Sequence, residues 1–227
     1  MTEGAGGRSL QSQTRLIDVA RPAEPAGVVI VMHGGAPRRR AMVSRRQLSV
    51  LRMVQIARRI ARAAAGRLAV FRMLNSSRNW DGEQTPVDDA ERAIEQVGDL
   101  YGEDVPVCLV GHSLGGRAAV FAAARRPEVR SVIALAPWFA AEDDPGGLGN
   151  RAVLFVHGSR DRIASPDRAI AVADRIRRTS PVRFVMVENG GHAMVRHHAL
   201  FSAAAAEWTL QTLGGGDEQT GSLPRRA

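Results

Sequence analysis

Residues 111–115 read Gly-His-Ser-Leu-Gly, a G-x-S-x-G pattern. The pattern lies between the apolar run "VPVCLV" and the helix-like stretch "GGRAAVFAAARR". A serine hydroxyl is a weak nucleophile near neutral pH and needs a base beside it. Histidine suits that task, because an imidazole can take the serine proton and return it to a leaving group. A carboxylate on the far side of the ring stabilises the imidazolium that forms. The chain carries these types downstream of Ser113: Asp143, Asp144 and Asp161 as acids, and His192, His197 and His198 as bases. Ser113 is a nucleophile only if the fold delivers one acid and one histidine to it.

The elements that would do so are visible as apolar runs. Candidate strands cover 14–20, 27–33, 67–74, 105–111, 131–137, 152–158 and 182–188. Several are continuously apolar rather than alternating, which suits strands buried on both faces of a parallel sheet. Helical patterns fill the gaps. Residues 44–65 place Leu48, Leu51, Val54, Ala57, Ile60 and Ala64 on one face, and Gly66 supplies a stop. Thr85 and Pro86 open a second helix as N-cap and first helical residue; Ser165 and Pro166 repeat that grammar. A last helix is expected over roughly 196–213. Strand and helix alternate throughout, so the class is α/β, a doubly wound and mostly parallel sheet flanked by helices. The domain is read as 14–213. Residues 1–13 and 214–227, rich in Gly, Ser and Gln, are expected to be disordered tails.

Ser113 therefore sits on a sharp turn between a strand and a helix. The backbone is crowded two residues to either side, and Gly111 and Gly115 remove the clash because they lack Cβ. "GHSLGG" in this setting resembles the nucleophile elbow of the α/β-hydrolase fold. The chain is similar to small serine esterases and dienelactone-hydrolase-like proteins of actinobacteria over roughly 14–213. That resemblance implies a serine, acid, histidine order along the chain. "HGSRD" resembles the family's loop carrying the triad aspartate, which assigns the acid to Asp161; Asp143 and Asp144, behind the preceding strand, are rivals because some relatives place the acid there. The base follows the last strand, which assigns His192, with Gly190 and Gly191 letting its loop swing over the sheet. His197 and His198 read as surface residues of the last helix. His112 is expected to point away into the fold, and His157 to be a buried, hydrogen-bonded packing residue.

The tetrahedral intermediate of acyl transfer needs donors for its negative oxygen. The backbone N–H of Leu114, the residue after the nucleophile, is one. The loop "HGGAP" should supply the second, from Gly35, with Gly34 and Ala36 as alternatives and His33 as a buttress. This motif stops at two glycines, short of the H-G-G-G signature of one lipase and esterase branch. The segment "WFAAEDDPGGLGNR" is too short for a helical cap, so an open site is expected. Its walls are expected to include Trp138, Phe139, Met194, Arg78 and Trp80, although packing is the favoured reading of each aromatic. Arg78 could bind a substrate carboxylate through its bidentate fork.

Composition narrows the alternatives. The single cysteine, Cys108, excludes an internal disulfide and a multi-cysteine metal site, and its place in an apolar strand makes it a core residue. The net charge is +8 and every basic residue is arginine. The arginines are scattered and aromatics make up only 4%, so no nucleic-acid surface is expected. No apolar run is long enough to cross a bilayer, and the first residues lack the apolar stretch of a signal peptide. A cytoplasmic protein without metal or cofactor is expected. The reading is a serine hydrolase that cleaves a small carboxylic ester or thioester through an acyl-enzyme. An amidase, an acyltransferase or a carbon–carbon bond hydrolase on the same triad remain open, as does a non-catalytic binding protein on the same scaffold. A dehalogenase or epoxide hydrolase is disfavoured, because those relatives carry Asp at the elbow.

Overall fold

The apolar runs form the strands of one sheet in a computed structural model, which describes residues 14–35, 48–76 and 85–214. The strands are β1 (Arg15–Ala20), β2 (Val28–Met32), β3 (Ala69–Leu74), β4 (Val107–His112), β5 (Val129–Leu135), β6 (Ala152–Gly158) and β7 (Val182–Val187). They lie in the order β1-β3-β2-β4-β5-β6-β7. β1 runs antiparallel to β3, and every other pair is parallel. All residues of β2 and β4 are buried, as expected for central strands covered on both faces. The edge strands β1 and β7 are only partly covered.

The helices are α1 (Leu48–Ala64), α2 (Thr85–Tyr101), α3 (Leu114–Arg125), α4 (Pro166–Ile176) and α5 (His198–Leu213). Strand side chains alternate between faces, so each strand feeds two cores. Val28, Ile30 and Met32 join Leu109 and Phe155 beneath α2, α3 and α4. Val29 and Val31 join Val110 and Ile133 beneath Met53, Ile56 and Ile60 of α1 and Phe201 and Trp208 of α5.

Local chemistry sets the helix ends. The Ser165 side chain accepts from Arg168 N at 3.4 Å, with Pro166 as the first helical residue of α4. α1 stops where Ala65 and Gly66 turn to φ 48° and 80°. α2 begins at Thr85 itself, so the residue read as its cap is its first residue. At the end of α5, Gly214 N donates to Leu210 O at 2.8 Å. The expected tails 1–13 and 215–227, and Ala36, Arg78 and Trp80, lie outside the described residues. Residues 136–151, between β5 and β6, contain turns and no helix. Among the described residues no helix is long and apolar enough to cross a membrane.

Two loops cross at the carboxyl ends of β6 and β7. Ser159 N donates to Val187 O at 3.0 Å and Arg160 N to Gly190 O at 2.9 Å. A Cβ on Gly158 would lie 2.4 Å from the Gly190 carbonyl carbon. This crossing sets the spacing of the loops that carry Asp161 and His192. Gly158→Ala is therefore expected to lower stability by about 1–3 kcal/mol through overpacking. The urea midpoint should fall with m unchanged; an unchanged midpoint would mean that the loops separate freely.

Candidate active site

Ser113 joins β4 to α3 with φ 56° and ψ −121°. A non-glycine residue adopts such a backbone only when its surroundings hold it there. Ser113 N donates to Leu135 O at 3.0 Å, and Ser113 O accepts from Gly116 N, Arg117 N and Trp138 N at 3.0, 3.1 and 3.2 Å. A Cβ on Gly111 would fall 2.1 Å from Gly115 O, and one on Gly115 would fall 2.5 Å from His33 O. Glycine is required here by backbone contacts between β2, β4 and the first turn of α3.

The structure brings His192 and Asp161 to this serine. His192 Nε2 lies 3.0 Å from Ser113 Oγ, and His192 Nδ1 lies 2.8 Å from Asp161 Oδ2. Asp161 Oδ1 accepts from Ile163 N at 2.8 Å and Ala164 N at 2.9 Å. His157 Nε2 stands 3.3 Å from Oδ2. Burial alone would raise the Asp161 pKa. Hydrogen bonds from His157, His192, Ala164 and Ile163 outweigh it and hold the carboxyl well below the usual carboxylate range. An anionic Asp161 makes Nδ1 of His192 the protonated nitrogen, so the lone pair on Nε2 faces the serine hydroxyl.

The rival acids are placed otherwise. Asp143 accepts from Arg117 Nε at 2.6 Å, from Arg117 Nη2, and from Ala140 N at 2.8 Å. Both members of this ion pair are buried. The Arg117 guanidinium also lies 5.5 Å from the Phe121 ring centre and 5.8 Å from that of Trp138. Asp143 thus ties the β5–β6 segment to α3 beside the elbow. Asp144 accepts from Gly146 N at 3.0 Å on the surface. Sequence reasoning missed the Arg117–Asp143 pair; the available signal was a lone arginine in an otherwise small and apolar helix start.

Two expectations about side-chain placement need correction. His112 is buried, as expected, but does not point away from the site. Its Nε2 lies 2.9 Å from the His192 carbonyl oxygen, and the two rings are 4.9 Å apart. Met194, expected in the pocket wall, is 1% exposed and packs into one core, while Phe139, 2% exposed, packs into the other in keeping with its favoured reading. They offer a ligand no surface, because the aromatic and the thioether are drawn under the loops by apolar burial. Trp138 is half-buried, with its ring near Arg117. His197 and His198 are also half-buried, at the start of α5.

His33 buttresses its loop. Its Nδ1 donates to Gly34 O at 2.7 Å, and its Nε2 accepts from Asn75 N at 3.3 Å. A Cβ on Gly34 would sit 3.1 Å from Ser113 Cβ, so the loop of Gly34 and Gly35 lies against the serine. Leu114 is the first residue of α3, where N–H groups have no partner within the helix. Burial pushes the Cys108 thiol up to about 11, against hydrogen bonds with Ser131 and Thr209, which suits an inert core residue. Among the described residues no group of three or more His, Cys, Asp or Glu could hold a metal ion.

A sequence model of the serine aminopeptidase S33 family matches residues 75–152, a stretch that holds the elbow but neither Asp161 nor His192. No curated protein matches the chain in sequence. Solved structures resemble it throughout. Est1E from Butyrivibrio proteoclasticus, with ferulic acid bound, aligns at 15% identity and TM-score 0.66, over 89% of this chain and 96% of that one. An alpha-beta serine hydrolase homologue from Coxiella burnetii aligns at 17% and 0.64, over 86% and 89%. The esterase domain of a Rhodothermus marinus protein aligns at 16% and 0.63, over 89% and 100%. The chain has the α/β-hydrolase fold.

His112 generates a pH prediction. Burial, then the neighbouring His192 charge, push its pKa down to about 3, although its hydrogen bond to the His192 carbonyl pulls the other way. In the unfolded chain a histidine titrates near about 6.5. Between these values the unfolded state binds the proton and the folded state does not. Stability from this group is therefore present above about pH 6.5 and is lost as pH falls, by up to about 1.4 kcal/mol per pH unit. Urea midpoints measured from pH 7 to 4.5 should fall less steeply in His112→Gln than in the native chain; equal slopes would rule this out.

Proposed function

We propose that this α/β-hydrolase-fold chain is a serine hydrolase that cleaves small carboxylic esters or thioesters through an acyl-enzyme at Ser113. The observation that carries this reading is the hydrogen-bonded line from Ser113 Oγ through His192 to Asp161, at 3.0 and 2.8 Å. His192 Nε2 takes the hydroxyl proton as Oγ attacks the substrate carbonyl. Asp161, paired among the described residues with His157 and His192, stabilises the imidazolium. The developing oxyanion is received by Leu114 N–H at the start of α3 and by Gly35 N–H. His192 then passes its proton to the departing alcohol or thiol. Water, deprotonated by the same nitrogen, releases the acid and restores the serine.

Ester chemistry is supported by the esterase among the structural neighbours and by the ferulic acid bound to another. The serine aminopeptidase match favours an amide-cleaving second reading, which matched ester and amide substrates would separate. The lone buried Cys108 fits a cytoplasmic setting.

A fluorophosphonate probe should label Ser113 alone. Ser113→Ala and His192→Ala should abolish ester turnover, while Asp161→Asn keeps a measurable remnant because the acid acts through the base. Label at another residue, or none on folded protein, would refute the assignment. Because residues 136–151 form no helical cap, the acyl group is expected to be only partly enclosed. Each buried methylene contributes about 0.8 kcal/mol, so kcat/KM should stop rising at about two to six acyl carbons, with no jump at micelle formation. A steady rise to long chains would contradict an open site.

A further inference from the structure

We propose that His157 is a positioning residue for the acid, a second imidazole whose Nε2–H holds Asp161 aimed at His192. This rests on the reading of Ser113, His192 and Asp161 as nucleophile, base and acid.

His157 lies near the end of β6, four residues before Asp161, and is wholly buried. Its Nε2 stands 3.2 Å from Ala164 O and 3.3 Å from Asp161 Oδ2. Both neighbours are acceptors, so Nε2 carries the proton; it hydrogen-bonds to Ala164 O and faces the Asp161 carboxylate at 3.3 Å. Among the described residues Nδ1 has no hydrogen-bond partner. A residue serving only to pack would be better as leucine or phenylalanine, which leave no buried polar atom unsatisfied. What histidine adds is a donor on the carboxylate oxygen that also receives His192 Nδ1 at 2.8 Å.

The contacts close a ring. Ala164 N donates to Asp161 Oδ1 at 2.9 Å, and Ala164 O accepts from His157. The backbone N–H groups hold one oxygen of Asp161, and the two imidazoles hold the other. Without His157 the carboxylate could turn about its own bond and leave His192 Nδ1 with a less constant acceptor. The effect on the serine would pass through Asp161 and His192, since His157 touches neither Ser113 Oγ nor the space above it.

The test is a double-mutant cycle with a short activated ester such as p-nitrophenyl acetate. His157→Leu should lower kcat about ten- to a hundredfold, as expected for a lost hydrogen bond to a charged group, with KM nearly unchanged. His157→Gln, whose amide N–H reaches nearly the same point, should restore most of the loss. In an Asp161→Asn background, His157→Leu should change kcat by less than about twofold. Equal losses in both backgrounds, or no loss in the native background, would overturn the proposal. If His157→Leu fails to fold, His157→Met supplies the donor-free side chain. Native protein and Ser113→Ala are assayed alongside. Absence of native turnover would refute the hydrolase reading, and the proposal would then be decided by the low-field proton resonance of His192 Nδ1–H. That line should persist in the native chain and His157→Gln and broaden by exchange in the donor-free variant; an identical line in all three would overturn it.

Discussion

The backbone of Ser113 is held at positive φ because β2, β4 and the first turn of α3 close on one another without intervening side chains. A Cβ on Gly115 would strike the His33 carbonyl, and one on Gly111 would strike Gly115. Any larger residue at either position must part α3 from the sheet. The carbonyl of Ser113 accepts from two N–H groups of α3 and from Trp138, which locks the turn from the other side. Gly34 lies against this serine from the end of β2, and His192 Nε2 reaches its Oγ at 3.0 Å from the loop after β7.

Two buried carboxylates stand near this turn, and their partners separate their roles. Asp143 faces Arg117, a permanent cation, so its charge is already neutralised, and it serves to fold the β5–β6 segment onto α3. Asp161 faces two imidazoles and two backbone N–H groups. Those donors stabilise its anion without cancelling it. Asp161 thus keeps an uncancelled negative charge beside His192. The same side chain serves in a neutralised ion pair at one position and as a hydrogen-bonded anion at the other.

Histidine has several roles in this chain. His192 bridges the serine and the acid, while His33, His112 and His157 bind backbone or carboxylate oxygens around them. His112 links the residue next to the nucleophile with the backbone of the base, 80 positions away. An imidazole offers one donor nitrogen at a fixed angle from a flat ring that packs well, so these residues brace loops that regular strand pairing does not reach.

Much of this was legible in the sequence. The apolar runs identified the seven strands of the described residues, most plainly β2 and β4, where burial on both faces leaves little room for polar side chains. The helices followed from spacing and caps, and the G-x-S-x-G turn from its position between a strand and a helix. The likeness of "HGSRD" to the acid loop of the α/β-hydrolase fold favoured Asp161, but position alone did not, since Asp143, Asp144 and Asp161 all follow strands. In the structure the crossing of the β6 and β7 loops sets Asp161 beside His192, while Arg117 captures Asp143. The direction of His112 and the burial of Met194 were misjudged because they depend on such contacts. Periodicity records which face of an element is apolar, a local property of each segment. Contacts between residues 26 to 80 positions apart leave no period in the chain, and are decided only when the sheet brings the strand ends together.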